Sequence, residues 1–94
     1  MIVPTLNRRD AIEVPTPKNG AKLIAASKIS QTEYVVLCRY HDYEWVTWRM
    51  DLNGECYWGH YFHDLHDAVT NAFERAHQAI KFCTDTVQMP GLTT

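Results

Sequence analysis

The segment Glu44–Phe62, with the sequence EWVTWRMDLNGECYWGHYF, constrains the fold more than any other part of the chain. It contains two runs of aromatic and β-branched residues, which favour strands, separated by Asn53-Gly54. Asn-Gly supplies the two positive-φ positions that a type I′ turn requires, and the twist of this turn matches that of the flanking strands. We therefore predict a β-hairpin with a two-residue turn at Asn53-Gly54, in which Arg49 pairs with Trp58.

Side chains alternate between the two faces of a strand, so this pairing sorts the hairpin into two sets. The more apolar set, which we predict to be the core face beneath a helix, comprises Val46, Trp48, Met50, Leu52, Tyr57, Gly59 and Tyr61. Gly59 opposite Trp48 fits that face, because a cross-strand aromatic ring can cover the bare backbone of a glycine. The other set, which we predict to stay free of the helix, comprises Trp45, Thr47, Arg49, Asp51, Cys56, Trp58, His60 and Phe62.

Two further strands are predicted upstream of the hairpin. Lys22–Ile29 has the character of an edge strand, because its lysines discourage pairing with another sheet. Tyr34–His41 is rich in β-branched and aromatic residues. We place Arg39 on the same face as Arg49, because a one-residue slip of this strand would bury an arginine.

Downstream of the hairpin, Asp64 is a good N-cap for a helix that we expect to end near Cys83. Apolar residues recur along one helical face, which we predict to pack on the sheet: Leu65, Ala68, Val69, Ala72, Phe73, Ala76 and Ile80. Polar residues, Asn71 and Arg75 among them, fill the opposite side. The sequence thus predicts an α+β fold: a four-stranded antiparallel β-meander with one C-terminal helix packed on one face.

Two features divide the chain into segments: the prolines near the N-terminus and the end of the helical apolar pattern after Cys83. We predict an N-terminal arm or linker at residues 1–21, a ββββα domain at residues 22–83 and a flexible C-terminal tail at residues 84–94. The arm contains more apolar residues than a disordered segment usually does. It is therefore either mobile or folded over the second face of the sheet.

Length and composition set bounds on the kind of protein. Ninety-four residues are enough for one domain with a modest core. The net charge of −2 provides no broad basic field for nucleic acid, and no apolar run is long enough to span a membrane. Three cysteines, Cys38, Cys56 and Cys83, are too few for a disulfide framework. We therefore expect free thiols, a cytoplasmic location and no membrane partner.

The sequence carries no signature of catalysis or of a cofactor. It has no G-x-S-x-G, no Gly-rich phosphate loop and no H-E-x-x-H, so we expect neither an enzyme nor a bound cofactor. Cys56 and His60 lie four residues apart on one strand, about 13 Å, which is too far for ligands of one tetrahedral ion. A zinc site at His60, His63 and His66 is the weaker alternative, and our prediction is that there is no metal.

The helix-free face suggests a binding surface. Large apolar side chains left on a small domain call for a protein partner, a second copy of the chain or the N-terminal arm. Trp and Arg are also enriched at binding hot spots. We predict a surface for a protein partner formed by Arg39, Trp45, Arg49, Trp58, His60 and Phe62.

Two alternatives use the same face. The first is homodimerisation, in which the aromatic residues would be structural. The second is single-stranded nucleic-acid binding by base stacking on Trp45, Trp58 and Phe62. The net negative charge and the absence of a Lys/Arg stripe make nucleic acid the less favoured partner.

The stretch WRMDLNGECYWGHYFHDL, followed by a helix of the AVTNAFERA kind, resembles small uncharacterised proteins of phages and other mobile elements. The resemblance covers roughly residues 34–80. Many such proteins, anti-CRISPR proteins among them, are inhibitors that block a host complex by occupying its surface. The resemblance therefore implies a non-enzymatic inhibitor, and it assigns no functional residue.

Overall fold

The computed structural model describes residues 1–7, 9–42 and 44–92, with side chains up to residue 80. These residues form the strands β1 (Ile2–Pro4), β2 (Ala11–Glu13), β3 (Lys22–Lys28), β4 (Glu33–Tyr40), β5 (Glu44–Asp51) and β6 (Cys56–Phe62), and the helix α1 (Leu65–Leu92). Strands β3 to β6 form one antiparallel sheet in chain order, and β1 and β2 form a separate hairpin. The predicted α+β fold, a four-stranded meander with one helix, is confirmed.

The β5–β6 hairpin forms, but the predicted two-residue type I′ turn is wrong. The N–H of Asp51 donates to the carbonyl of Glu55 at 3.1 Å, so residues 52–54 form the loop. Within this described loop only Gly54 has a positive φ, +88°, as in a three-residue loop closed by a glycine bulge. The Asp51 carboxylate accepts hydrogen bonds from the N–H groups of Asn53 and Glu55, which stabilises the loop.

A bulge in β6 accommodates the longer loop. Thr47 faces His60 as predicted, but Arg49 faces Tyr57, and not Trp58. Trp58 is the additional residue, and its φ is +55°. A bulge of this geometry usually has glycine at that position, because a Cβ crowds the following carbonyl oxygen.

Helix α1 packs on the face that we predicted to be free of it. Ala68 and Ala72 are fully buried in a cluster with Val35 and Leu37 of β4. Thr47, on the same face of β5, is also fully buried. The prediction that the helix covers the Trp48 face is therefore wrong. Small alanine side chains let the helix axis approach the sheet closely.

The N-terminal arm covers the more apolar face instead. Val3 and Val14 are buried in one cluster with Trp48 and with residues of β4. The N–H of Leu6 donates to the carbonyl of Ala26 in β3 at 3.0 Å, so the arm also runs along the edge of the sheet. Of the two alternatives for residues 1–21, the folded arm is the one observed, and it adds a two-stranded hairpin to the ββββα unit.

Two expectations about side-chain placement in the sheet are confirmed. Arg39 pairs with Trp45 and lies on the face of Arg49. Gly59 lies beneath the Trp48 ring, and a Cβ at this glycine would be 2.5 Å from Trp48 Nε1. The aromatic ring therefore occupies the space that any larger residue would need.

The predicted N-cap is also confirmed. The Asp64 carboxylate accepts a hydrogen bond from the N–H of His66 at 3.2 Å, and the Asp64 carbonyl accepts the first intrahelical bond from Ala68. The helix continues to Leu92, past Cys83, where the pattern in the sequence ends. No helix in the described part of the chain is long and apolar enough to cross a membrane.

Cys38 and Cys56 are free thiols, as expected, while Cys83 lies outside the residues whose side chains are described. Burial raises the pKa of the Cys38 thiol far above its ordinary value. Burial, followed by the charges of Asp51 and Glu55, raises the pKa of the Cys56 thiol to about 11. Both described thiols are therefore neutral at physiological pH.

Replacing Gly54 by alanine tests how tightly the arm docks on the hairpin loop. The new Cβ would lie 2.4 Å from the Thr16 carbonyl oxygen, at a φ that disfavours L residues. We expect Gly54→Ala to lower the free energy of unfolding by about 2–4 kcal/mol, measured by urea denaturation.

Gly20→Ala is the matched control, because Gly20 has a φ of +82° and no atom within 4 Å of the added Cβ. In Gly20→Ala the free energy of unfolding should fall by about 1–2 kcal/mol, which is the cost of placing an L residue at a positive φ. Equal losses for Gly54→Ala and Gly20→Ala would contradict a close contact between arm and loop.

The raised thiol pKa values predict a loss of stability in alkali. The unfolded thiols ionise near pH 9.0, whereas the folded Cys56 stays neutral to about pH 11. The unfolded state thus loses protons first, and the free energy of unfolding should fall as the pH rises above 9. Urea denaturation at pH 8 to 10.5 measures this slope. The double variant Cys38→Ala/Cys56→Ala should show a shallower slope; the same slope as the wild type would refute the assignment.

Candidate functional site

The structure divides the six predicted partner-binding residues into two groups on β5 and its neighbours. One group contains Arg39, Trp45 and Phe62, and the other contains Arg49, Trp58 and His60. Trp45 and Arg49 are four residues apart on β5, about 13 Å, so the groups lie at different ends of the strand. The predicted set therefore extends along β5 and does not gather at one point of the sheet.

The first group is largely occupied by contacts within the protein. Trp45 pairs with Phe62, and both side chains are half-buried against the cluster beneath α1. The Arg39 guanidinium carbon lies 5.0 Å from the centre of the Trp45 ring, and its Nη2 donates to the Asp42 carbonyl at 2.5 Å. Of the three rings that we considered for base stacking, Trp58 is exposed, whereas Trp45 and Phe62 are half-buried.

The second group lines a cleft of about 640 Å³ between the β5–β6 hairpin and α1. The guanidinium carbon of Arg49 lies 5.5 Å from the centre of the Trp58 ring, so the two side chains make a cation–π contact although they are not a cross-strand pair. The indole of Trp58 is 67% exposed and forms one wall. The remaining lining residues are Ile29, Ser30, Glu33, His60, Arg75, Gln78 and Ala79.

A polar network anchors α1 to the sheet beside this cleft. The hydroxyl of Thr47 donates to Asn71 Oδ1 at 2.7 Å. Nη1 of Arg75 donates both to the Thr47 carbonyl at 2.9 Å and to its hydroxyl oxygen at 3.0 Å. His60 Nδ1 lies 3.3 Å from Asn71 Oδ1 and can donate to it when that nitrogen is protonated. The network sets the rotation of the helix and brings Arg75 to the cleft.

The floor of the cleft contains a second polar group. Arg49 Nη2 lies 2.7 Å from Glu33 Oε1, and the hydroxyl of Tyr57 donates to the other carboxylate oxygen. Arg49 Nε is buried and has no hydrogen-bond partner among the described residues. Both oxygens of Glu33 are thus in use while an arginine donor beside them is not.

Positive charge exceeds negative charge in this cleft. Its described lining contains the guanidinium groups of Arg49 and Arg75 but only the carboxylate of Glu33, so the formal charge of these residues is +1. The whole chain has a net charge of −2. Partial burial, and secondarily the charge of Arg49, lower the pKa of the Arg75 guanidinium. The local electrostatics therefore favour an anion.

The sequence pattern does not identify Glu33, Asn71 and Arg75 as parts of a site. It predicts Asn71 and Arg75 on the solvent side of the helix, because the larger apolar residues dominate the predicted stripe. The row of alanines marks the closest approach to the sheet, and Asn71 and Arg75 flank that row. Weighting small residues over large ones would have turned the predicted helix toward its observed orientation.

Two other features contribute no chemistry to this site. Within the described residues, no three His, Cys, Asp or Glu side chains are close enough to hold a metal ion, so His60, His63 and His66 do not form a ligand group. A second cavity of about 430 Å³ lies between the start of α1 and the β3 edge. Its lining residues are Pro4, Thr5, Leu6, Ile24, Ala25, Leu37, Leu65 and Val69.

Comparison with known proteins assigns no family. No protein-family model, no curated protein and no solved structure matches this chain. The Trp58 cleft is therefore the basis on which a function is proposed below.

A double-mutant cycle tests the network that anchors the helix. Thr47→Val and Asn71→Ala should each lower the free energy of unfolding by about 1–3 kcal/mol, since each removes a partly buried hydrogen bond of the network. The double variant should lose about 1 kcal/mol less free energy of unfolding than the sum of the losses in the two single variants, as measured by urea denaturation.

Thr70→Ala provides the matched control, because Thr70 is the exposed helical neighbour of Asn71. Its effect should add to that of Thr47→Val within about 0.5 kcal/mol. Additivity of the Thr47 and Asn71 variants would show that their hydrogen bond contributes nothing to stability.

Proposed function

We propose that this protein is a non-enzymatic binding module that works by protein–protein contact through the surface centred on Trp58. The observation that carries the proposal is the conformation and exposure of this residue. Trp58 combines an exposed indole with a φ of +55°, a position at which glycine or asparagine is favoured. Backbone strain of about 1–2 kcal/mol is unfavourable in the free protein, and here the strained residue holds an aromatic ring in solvent.

Such a combination is typical of binding sites, where strain persists because it positions a functional group. The Trp58 ring is held from two sides, by the Arg49 guanidinium and by the Tyr57 ring, whose centre is 5.1 Å away in an edge-to-face arrangement. Trp, Tyr and Arg are the residue types that contribute most at binding hot spots. A partner that desolvates the Arg49–Trp58 pair would also strengthen it.

The position of Trp58 in the sheet leaves it accessible to a large partner. It lies on β6, which is the last strand of the β3–β6 sheet. The outer side of β6 has no neighbouring strand among the described residues, so a protein surface can approach it. The specific form of the function that we propose is an inhibitor that blocks a host complex by occupying its surface, which is what the resemblance to phage and mobile-element proteins implies.

Capture from a lysate of the native host, with and without nuclease, tests this proposal. Trp58→Asn removes the indole while keeping a residue that tolerates positive φ, so its stability should stay within about 1 kcal/mol of wild type. We expect the wild type to retain a protein in the presence of nuclease and Trp58→Asn to lose it. Phe73→Ala removes an exposed aromatic ring on the opposite flank of α1 and should retain the same protein.

The captured protein should then bind the purified wild type directly and lose its own activity on binding. Retention by Trp58→Asn as strong as by the wild type would overturn the choice of surface. Retention that disappears with nuclease would instead support the single-stranded nucleic-acid alternative. A molecular mass that doubles with concentration and falls in Trp58→Asn would identify the partner as a second copy of the chain.

A further inference from the structure

The cleft beside Trp58 contains arginine donors that the protein itself does not use. Nε of Arg49 is buried and unpartnered among the described residues. Both hydrogen bonds of Arg75 leave from Nη1, so its Nε and Nη2 make no hydrogen bond within the described part of the chain. An unused buried donor is unfavourable, and a ligand oxygen that accepts from Arg49 Nε after a small movement of that side chain removes the deficit.

The described residues offer no second carboxylate to fill this role. Among the described residues that line the cleft, Glu33 is the only acidic one. Its oxygens are already engaged by Arg49 and by the hydroxyl of Tyr57. One positive charge of the pair Arg49 and Arg75 therefore lacks a counter-charge among the described lining residues.

We infer that this cleft is a carboxylate-binding subsite that receives an acidic group of the protein partner, an inference that rests on the function proposed above. The charge of the cleft matches one carboxylate, because a single negative charge neutralises its formal +1. A phosphate group, with a charge near −2, would add excess negative charge beside Glu33. The planar guanidinium groups also match the geometry of a carboxylate.

The walls of the cleft fit a carboxylate on a short aliphatic stem. Ile29 and Ala79 contribute apolar surface, and the Trp58 ring forms the wall nearest solvent. The volume of about 640 Å³ is in the range of sites that hold small ligands or a few residues of a peptide. The chemistry is shared by an aspartate or glutamate side chain and by the carboxylate at the end of a chain.

Titration of the ¹⁵N-labelled protein, followed through the side-chain Nε–Hε resonances of Arg49 and Arg75, tests the inference. The probes are a blocked Ala-Glu-Ala peptide, a blocked Ala-Gln-Ala peptide, N-acetylated Ala-Ala-Ala with a free C-terminus, and inorganic phosphate. We expect saturable shifts with the Glu peptide and none with the Gln peptide. Shifts with the free C-terminus alone would assign the carboxylate to a chain end. Shifts with the Gln peptide, or larger shifts with phosphate, would overturn the inference.

Variants then separate a charge effect from a specific site. Arg75→Gln should weaken binding of the Glu peptide about tenfold or more, as expected for loss of a hydrogen bond to a charged group. Arg9→Gln removes an exposed arginine of the arm and should leave the affinity unchanged. Equal losses in the two variants would show non-specific attraction. If Arg75→Gln does not fold, the titration of the wild-type protein with the Glu and Gln peptides still tests whether the cleft binds a carboxylate.

The outcome for the subsite is distinguishable from the outcome for the proposed function. Loss of the captured protein in Trp58→Asn without any shift of the arginine resonances would leave the binding module standing and refute the carboxylate subsite. Specific shifts with the Glu peptide, without a captured protein, would support the subsite and refute the proposed mode of action.

Discussion

The buried hydroxyl of Thr47 is the interaction on which the arrangement of the site depends. Thr47 is the only polar residue fully buried in the described part of the chain, and it lies in the centre of β5, where water cannot reach it. A buried hydroxyl needs a protein partner, so the helix above it must present polar groups at that point. Asn71 and Arg75 do so, and this requirement turns Phe73 and Ile80 toward solvent. The orientation of one helix thus creates the positive cleft.

The length of one loop determines the second half of the site. Because residues 52–54 form a three-residue loop, β6 has one residue more than simple alternation allows, and the bulge at Trp58 absorbs it. The bulge leaves Trp58 exposed and brings Tyr57 opposite Arg49. It also moves Cys56 toward the core on the Trp48 face. A substitution that restores a two-residue turn would therefore alter the proposed binding surface without changing any of its residues.

Local features of the sequence predicted the strands and the helix. The packing of the helix and the arm on the sheet, which depends on residues distant in sequence, was not predicted. The strands, the Asp64 cap and the Gly59–Trp48 contact depend on neighbours in sequence or across one strand pair, and all of them are present. The face covered by the helix was predicted wrongly because β5 has buried side chains on both faces and the chain has two segments able to cover them. Periodicity favoured the helix for the more apolar face, whereas Val3 and Val14 cover it. The Arg49–Trp58 contact was predictable, but Glu33 and Arg75 join it only through packing that periodicity does not specify.

The arm is attached at both ends of the face that it covers. Leu6 bonds to β3, while the N–H of Lys18 donates to the Gly54 carbonyl at 3.0 Å, at the tip of the β5–β6 hairpin. Because residues 2–18 precede β5 and β6 in the sequence, they leave the ribosome well before the hairpin on which they dock. During synthesis the arm stays unfolded until the β5–β6 hairpin has formed. Contacts of such long sequence separation form slowly. Until then the face that contains Trp48 and Met50 is open to other chains, and this interval is where we would look for misfolding during expression.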